Sequence, residues 1–267
     1  MSILIYTLLI TALAMVAMWC LSLLLRNAAI VDSYWGPGFL VIASIAAASG
    51  TGSTARTGLI LTLVAIWSLR LGGYLTWRNW GKPEDYRYGA MRTHHGSRFW
   101  WVSFLTVFTL QGVLMWLISL PLQAAVLTST PVELGWLDYV GVLLWAVGFT
   151  FEAIGDAQLA RFKGDPANVG KVLDRGVWAW TRHPNYFGET LIWWGYGLIA
   201  LATPYGPWLL LSPVLMTFLL LKVSGVAMLE RDIGDRRPGY ADYMRRTSAF
   251  WPRPPLPRSA DNSTGVQ

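Results

Sequence analysis

The sequence predicts an all-α fold: a polytopic membrane helix bundle of about seven transmembrane helices, with the N-terminus outside and the C-terminus cytoplasmic. Three observations lead there. Of the 267 residues, 54% are hydrophobic and 13% charged, where a soluble domain carries roughly 25% charged residues. Seven apolar segments can be drawn, at about 3–25, 36–50, 58–77, 100–127, 136–160, 184–202 and 205–229, and a spanning helix needs roughly 20 residues. Eighteen of the 21 Lys and Arg residues lie at Arg26, between Arg78 and Arg98, between Arg161 and Arg182, or after Glu230. With seven spans those four regions share one face, which the positive-inside rule makes cytoplasmic.

The segments differ in character. The first lacks a basic leader region and a small-residue cleavage site, so it reads as a span rather than a signal peptide. It holds Cys20, and a lone Cys excludes an internal disulfide and a thiolate metal cluster. The second is short unless it begins near Ala28 and takes Asp32 with it. The third carries Arg70 two turns from its inner end. In the fifth, Glu152 and Asp156 stand one turn apart on one face. The sixth opens with Pro184, suited to a first helical position because its missing N–H has no partner there anyway. Pro207 and Pro213 predict a bent seventh, closed by Lys222 and Glu230. Residues 1–252 read as a single transmembrane domain. The tail at 253–267, rich in Pro, Ser, Asn and Gly, reads as disordered.

The net charge of +6 describes a basic cytoplasmic face of a multi-pass membrane protein. Short loops and the absence of a recognition module argue against nucleic acid. The sixteen Trp suit bilayer interfaces.

Buried charge marks the functional end. Isolated ions are costly in hydrocarbon, so Asp32, Arg70, Glu152, Asp156, Glu189, Lys222 and Glu230 need partners or a shared wet cavity. Thr181-Arg182-His183-Pro184-Asn185-Tyr186-Phe187-Gly188-Glu189 is the most informative stretch. It sets cations, an amide, a phenol and a carboxylate at the start of an apolar helix, whose free N–H groups and dipole favour an anion. The loops Lys82–Tyr88 and Arg236–Tyr243 combine charge with phenols, which suits a ligand bearing phosphates and flat rings, or equally a basic loop touching anionic lipid. No glycine-rich dinucleotide fingerprint or phosphate loop is present. His94 and His95 are adjacent and do not face one site, so no metal site is expected, and no Ser or Cys nucleophile has a matching base.

These residues resemble the membrane-embedded steroid 5α-reductase family, in particular its uncharacterised bacterial relatives. The resemblance covers nearly the whole chain and is strongest from Glu152 to Trp251. Asn185, Glu189 and Trp193 match residues of that family's NADPH pocket. Asp156 is similar to another cofactor-binding acid, and Lys163 stands where the family carries Arg. Trp67, Arg70 and Tyr74 resemble a Tyr-x-x-Arg-x-x-x-Tyr pattern whose Arg and second Tyr contact cofactor, and Leu110-Gln111-Gly112 is similar to a family tripeptide. With them Arg182, His183, Glu230, Tyr240, Tyr243 and Arg246 form the expected cofactor-binding set. The family polarises its substrate's ketone with a Glu and a Tyr. Asp32 is the counterpart of the Glu, Trp67 replaces the Tyr, and Tyr34 is the substitute hydroxyl, so these three are the catalytic candidates.

The resemblance implies reduction of a carbon–carbon double bond conjugated to a carbonyl in a lipophilic, steroid-like substrate that enters from the bilayer, with NADPH as cofactor. A rival is a membrane methyltransferase using S-adenosylmethionine. Isoprenylcysteine carboxyl methyltransferases share an Arg-His-Pro-x-Tyr turn and a Glu followed by Tyr-x-x-Tyr, similar to Arg182–Tyr186 and to Glu230, Tyr240 and Tyr243. A non-enzymatic lipid-binding protein on the same fold is the third reading.

Overall fold

The structure is a computed structural model that describes residues 2–223, 226, 230 and 239–256. Among them every regular element is helical: α1 (Ile3–Leu25), α2 (Ile30–Ala47), α3 (Thr54–Asn79), α4 (Tyr86–His95), α5 (Phe99–Ser103), α6 (Leu110–Ile118), α7 (Leu120–Leu127), α8 (Trp136–Gly164), α9 (Val177–Trp180), α10 (Pro184–Leu201), α11 (Leu211–Phe218) and α12 (Tyr240–Arg246). A π-helical stretch, Phe104–Thr109, joins α5 to α6.

Six helical stretches are long and apolar enough to cross a membrane: Ile3–Leu25, Ile30–Ala47, Thr54–Asn79, Tyr86–Ile118, Trp136–Gly164 and Gly206–Val223. Their outward side chains are apolar, Leu13, Leu24, Leu69 and Leu143 among them, which makes bilayer rather than water their solvent. Exposed Trp77, Trp80, Trp136 and Trp208 lie near helix ends, as interfacial Trp does. The chain is a multi-pass membrane protein.

Three segments differ from the reading above in ways that bear on the site. The second starts at Ile30, so Asp32 lies in its first turn. The fourth begins at Tyr86 rather than 100, because Asp85 caps a helix there by accepting from the Arg87 N–H at 3.0 Å; an Asp cap satisfies a donor that the helix cannot. Pro184–Leu201 forms as expected but is not among the six, since Asn185, Gly188, Glu189 and Thr190 dilute its apolar run. Arg236–Pro238 and residues 257–267 lie outside the described residues. The chain at 253–256 is docked: the Arg253 N–H donates to the Trp180 carbonyl at 3.0 Å and the Leu256 N–H to that of Arg246 at 3.1 Å.

The described chain groups into two compact units, residues 1–141 with 196–212 and residues 142–195 with 213–267. In the first, α2 packs chiefly on α3. Small residues permit this approach: a Cβ on Gly36 would stand 3.0 Å from the Ser68 carbonyl oxygen, and one on Gly72 would stand 2.7 Å from the Pro37 ring. Phe39, Ile42, Ile60, Val64 and Trp67 fill the core between them. A polar seam stitches α1 to α7, where the Thr7 hydroxyl donates to Gln123 at 2.7 Å and the Gln123 amide to Ser119 at 2.8 Å. In the second unit α8 and α10 meet backbone to backbone at Gly148 and Gly188, where any Cβ would collide with the facing carbonyl.

Candidate functional site

In the second unit the Thr181–Glu189 stretch forms a turn and a helix start whose side chains are tied down. The Arg182 guanidinium grips Glu230 bidentately, Nε to Oε1 at 2.7 Å and Nη2 to Oε2 at 2.8 Å. Its Nη1 donates to the Met244 and Thr247 carbonyls at 3.0 and 2.6 Å, and its backbone N–H to the Ser248 carbonyl at 2.8 Å. His183 Nε2 lies 2.9 Å from Glu230 Oε1 and donates to it, since an ionised carboxylate only accepts. Burial would raise the Glu230 carboxyl, but the hydrogen bonds from His183 and Arg182 outweigh it and hold the group at about 2. The His183 ring stacks on Tyr186, centroids 5.6 Å apart.

α12 closes the hub. The Tyr243 hydroxyl donates to the Trp178 carbonyl at 2.6 Å, and its ring meets Tyr240 edge-on at 5.5 Å. Burial pushes the Tyr243 phenol above its ordinary range. Arg246 is held apart from the hub, on Asp242 at 2.7 Å and Asp174 at 3.2 Å.

The other expected residues of this unit take several positions. Glu189 is buried in α10 and accepts from Trp193 Nε1 at 3.0 Å, a bond one helical turn long. Glu152 and Asp156 are both buried on α8, while Lys163 is exposed at its end. Asn185 is half-buried in the first turn of α10, and five residues on the buried Thr190 hydroxyl makes no hydrogen bond among the described residues. This donor set fits a nucleotide cofactor in part. Asn185 and Thr190 offer uncommitted polar groups, whereas Arg182 has given four donor contacts to the chain itself.

The first unit holds a second cluster at the α2 start. Asp32 Oδ2 accepts from Arg87 Nη2 at 2.8 Å and Oδ1 from the Tyr88 hydroxyl at 2.6 Å. The Tyr88 oxygen in turn accepts from the Gln111 amide at 3.3 Å. Arg87 Nε is fixed by Asp85 at 2.8 Å. Next to it Glu84 accepts from the Ala28 N–H at 2.7 Å and from Arg92 at 2.8 Å through both nitrogens. Burial opposes ionisation of Glu84, yet the Arg92 and Ala28 bonds hold it below the usual carboxylate range. The loop Lys82–Tyr88 thus serves the chain's own α2. Tyr88 is buried; sequence reading left its loop open between a ligand and anionic lipid and did not set it beside Asp32. The signal was Asp85 as a helix cap, which turns Arg87 and Tyr88 to one side of the first turn.

The remaining candidates of this unit lie along α2 and α3. Trp67 is fully buried, its ring 5.7 Å from that of Phe39. Tyr34 is half-buried on α2. Arg70 is half-buried one turn beyond Trp67, and the Tyr74 ring lies tilted against that of Trp77, centroids 6.1 Å apart, with the Arg78 guanidinium 5.8 Å from its ring. Sequence reading missed one further feature, a fully buried pair of Arg56 and Asp138. Among the described residues no group of three or more His, Cys, Asp and Glu is arranged to hold a metal ion.

Comparison with known proteins places these clusters in a family. No solved structure matches. An uncharacterized protein of Schizosaccharomyces pombe is 24% identical over 88% of this chain and 76% of its own length. The Delta(14)-sterol reductase of Ascobolus immersus is 34% identical over 43% of the chain and 27% of its own length, and that of Saccharomyces cerevisiae 38% identical over 27% and 18%. The chain therefore matches about a quarter or less of each sterol reductase. The model of the family described as "Protein of unknown function (DUF1295)" matches residues 18–247, a stretch containing both clusters, and the chain belongs to this steroid 5α-reductase-like family.

Proposed function

We propose that the protein is a membrane-embedded, NADPH-dependent reductase of a carbon–carbon double bond conjugated to a carbonyl in a lipophilic, sterol-like substrate. The likeness to two sterol reductases supports reduction and the substrate class. The observation that carries the proposal is the Asp32–Tyr88–Arg87 cluster, a buried phenol and a half-buried carboxylate held ready by a guanidinium.

NADPH, held by the polar residues at the start of α10 and on α8, would supply the hydride that reduces the double bond. The Tyr88 hydroxyl turns from Asp32 to the carbonyl oxygen and stabilises the negative charge that develops there. Arg87 holds the Asp32 carboxylate in position through the exchange, and the Gln111 N–H holds the phenol oxygen in place. A preorganised donor of this kind is strongest where water is excluded. The α-carbon then takes up a proton from water, so the double bond gains one hydride and one proton. Tyr34, two residues beyond Asp32 on α2, is the alternative phenol, and comparing Tyr34→Phe with Tyr88→Phe separates the two. Asn185, Thr190, Asp156 and Lys163 would hold the nucleotide. Arg182, His183, Glu230, Tyr240 and Tyr243 shape the turn that carries Asn185.

The test is ligand-induced stabilisation of the detergent-purified protein. A bound ligand adds about 2.7 kcal/mol at one hundred times its Kd. NADPH is expected to raise the unfolding midpoint, and Asn185→Ala to remove that rise. A rise with S-adenosylmethionine and none with NADPH would transfer the assignment to methylation, and no rise with either would leave a lipid-binding role.

A further inference from the structure

The second unit contains a cavity of about 320 Å³ at the end of α8, lined by Arg161, Phe162, Asp165, Asn168, Leu173 and Arg175, with Gln158 and Gly176 at its edge. It is separate from the acids discussed above. Gln158, Arg161 and Phe162 follow the i, i+3, i+4 spacing of a single helix face, and Asp165 stands just past the end of α8. At roughly 100° per residue, Arg161 lies roughly 140° around α8 from Asp156. Glu152, Asp156 and Lys163 share the other face.

Its polar groups are sorted. Asp165 accepts from the Ala167 N–H at 2.9 Å and from the Asn168 amide at 3.3 Å, and the Asn168 amide also donates to the Phe162 carbonyl at 3.1 Å. The Gln158 carbonyl accepts from the Val177 N–H at 3.1 Å. Neither guanidinium is engaged: among the described residues Arg161 and Arg175 enter no hydrogen bond and no ion pair. Two uncommitted guanidiniums on one cavity, over a floor of buried Phe162 and Leu173, present planar donors to an anion above an apolar base. Counting Asp165, the formal charge of the lining is +1, which matches a monoanion better than a polyanion. Guanidinium forks fit phosphate oxygens in particular. The volume, near the lower end of ligand sites, admits a phosphate with a small organic group. Arg161 stands in the last turn of a membrane-spanning stretch, the depth of a lipid headgroup.

We propose that this cavity is a phosphate-binding site, distinct from the candidate cofactor residues, that takes a singly charged phosphate carried either by a lipid headgroup or free in solution. Arg161 and Arg175 hold the oxygens, and Phe162 and Leu173 support the attached organic group. The site is independent of the reductase assignment.

The test titrates the full chain, purified in an uncharged maltoside, with short-chain phosphatidylglycerol in one arm and inorganic phosphate in the other. Binding is read by native mass spectrometry and by the unfolding midpoint. R161Q/R175Q is expected to weaken the phosphate ligand by about tenfold or more, while R161K/R175K, which keeps the charge, recovers part of it. Both arginines are exposed, so the variants retain the fold, which size exclusion and circular dichroism check. Binding in the lipid arm that is lost in the Gln variant identifies a headgroup. The same result in the inorganic phosphate arm alone identifies a free anion. Binding in neither arm, or binding equal in wild type and the Gln variant, overturns the proposal.

Discussion

Two carboxylate–guanidinium pairs in the first unit show how one chemistry serves two ends. Arg56 and Asp138 are both 0% exposed. Every contact around them is closed: Arg56 Nε and Nη2 reach Asp138 at 3.0 and 3.1 Å, and Nη1 and Nη2 reach the Pro131 and Glu133 carbonyls at 2.8 and 3.2 Å. The Gly135 N–H completes Asp138 at 2.8 Å. In the Asp32–Arg87 pair the side chains are 18% and 32% exposed, and the carboxylate divides itself between a cation and a phenol. A saturated pair can only hold structure. A pair whose acid is bonded to a displaceable hydroxyl has a proton to offer.

The sharpest attempt to break this contrast is Asp138→Asn. It leaves a buried guanidinium without its counter-charge and is expected to cost about 3–5 kcal/mol, read as a lower unfolding midpoint in detergent; an unchanged midpoint would mean the pair is not the clamp described. Glu230→Gln comes next. It weakens charge-assisted hydrogen bonds from Arg182 and His183 and is expected to cost about 2 kcal/mol, with faster amide exchange at 239–256. The same acid sets a pH dependence. Its folded value of about 2 lies below the unfolded ~4.3, so its stabilisation is complete above the unfolded value and fades as pH falls toward the folded one. Unfolding midpoints between pH 5 and 3 should drop in wild type, and drop less in Glu230→Gln.

Tyr88→Phe sharpens the comparison from the other side. Removing one hydroxyl is expected to cost about 1 kcal/mol of stability but to slow enone reduction by about 10²-fold or more. A variant equally slow with Tyr34→Phe and normal with Tyr88→Phe would assign the proton to Tyr34. The smallest effect belongs to exposed His94, where His94→Ala should stay within about 0.5 kcal/mol of wild type and leave turnover unchanged.

Much of the fold was legible. The first span was read as 3–25 and is Ile3–Leu25, because its apolar run has clean ends. Pro184 opens α10 as its chemistry dictates. The fourth span was misjudged at its start because Tyr86–His95 is a polar helix, invisible to hydropathy and signalled only by the Asp85 cap. In the candidate sites the residue types were legible and their partners were not. Arg182, His183 and Glu230 were all named as cofactor-binding groups, yet they bind one another. Arg56 was only one of the three cations outside the four basic regions, and Asp138 was not read at all.

Sequence by itself determined the solvent of this protein, the places where helices start and stop, and which polar residues had to find company in hydrocarbon. Those are local properties, set by hydropathy, caps and the cost of burying charge. Only the tertiary structure decided the company. Arg56 meets Asp138 across 82 positions and Arg182 meets Glu230 across 48. Such pairings depend on how each helix is rotated and how closely its glycines let a neighbour approach, which no single stretch of chain records.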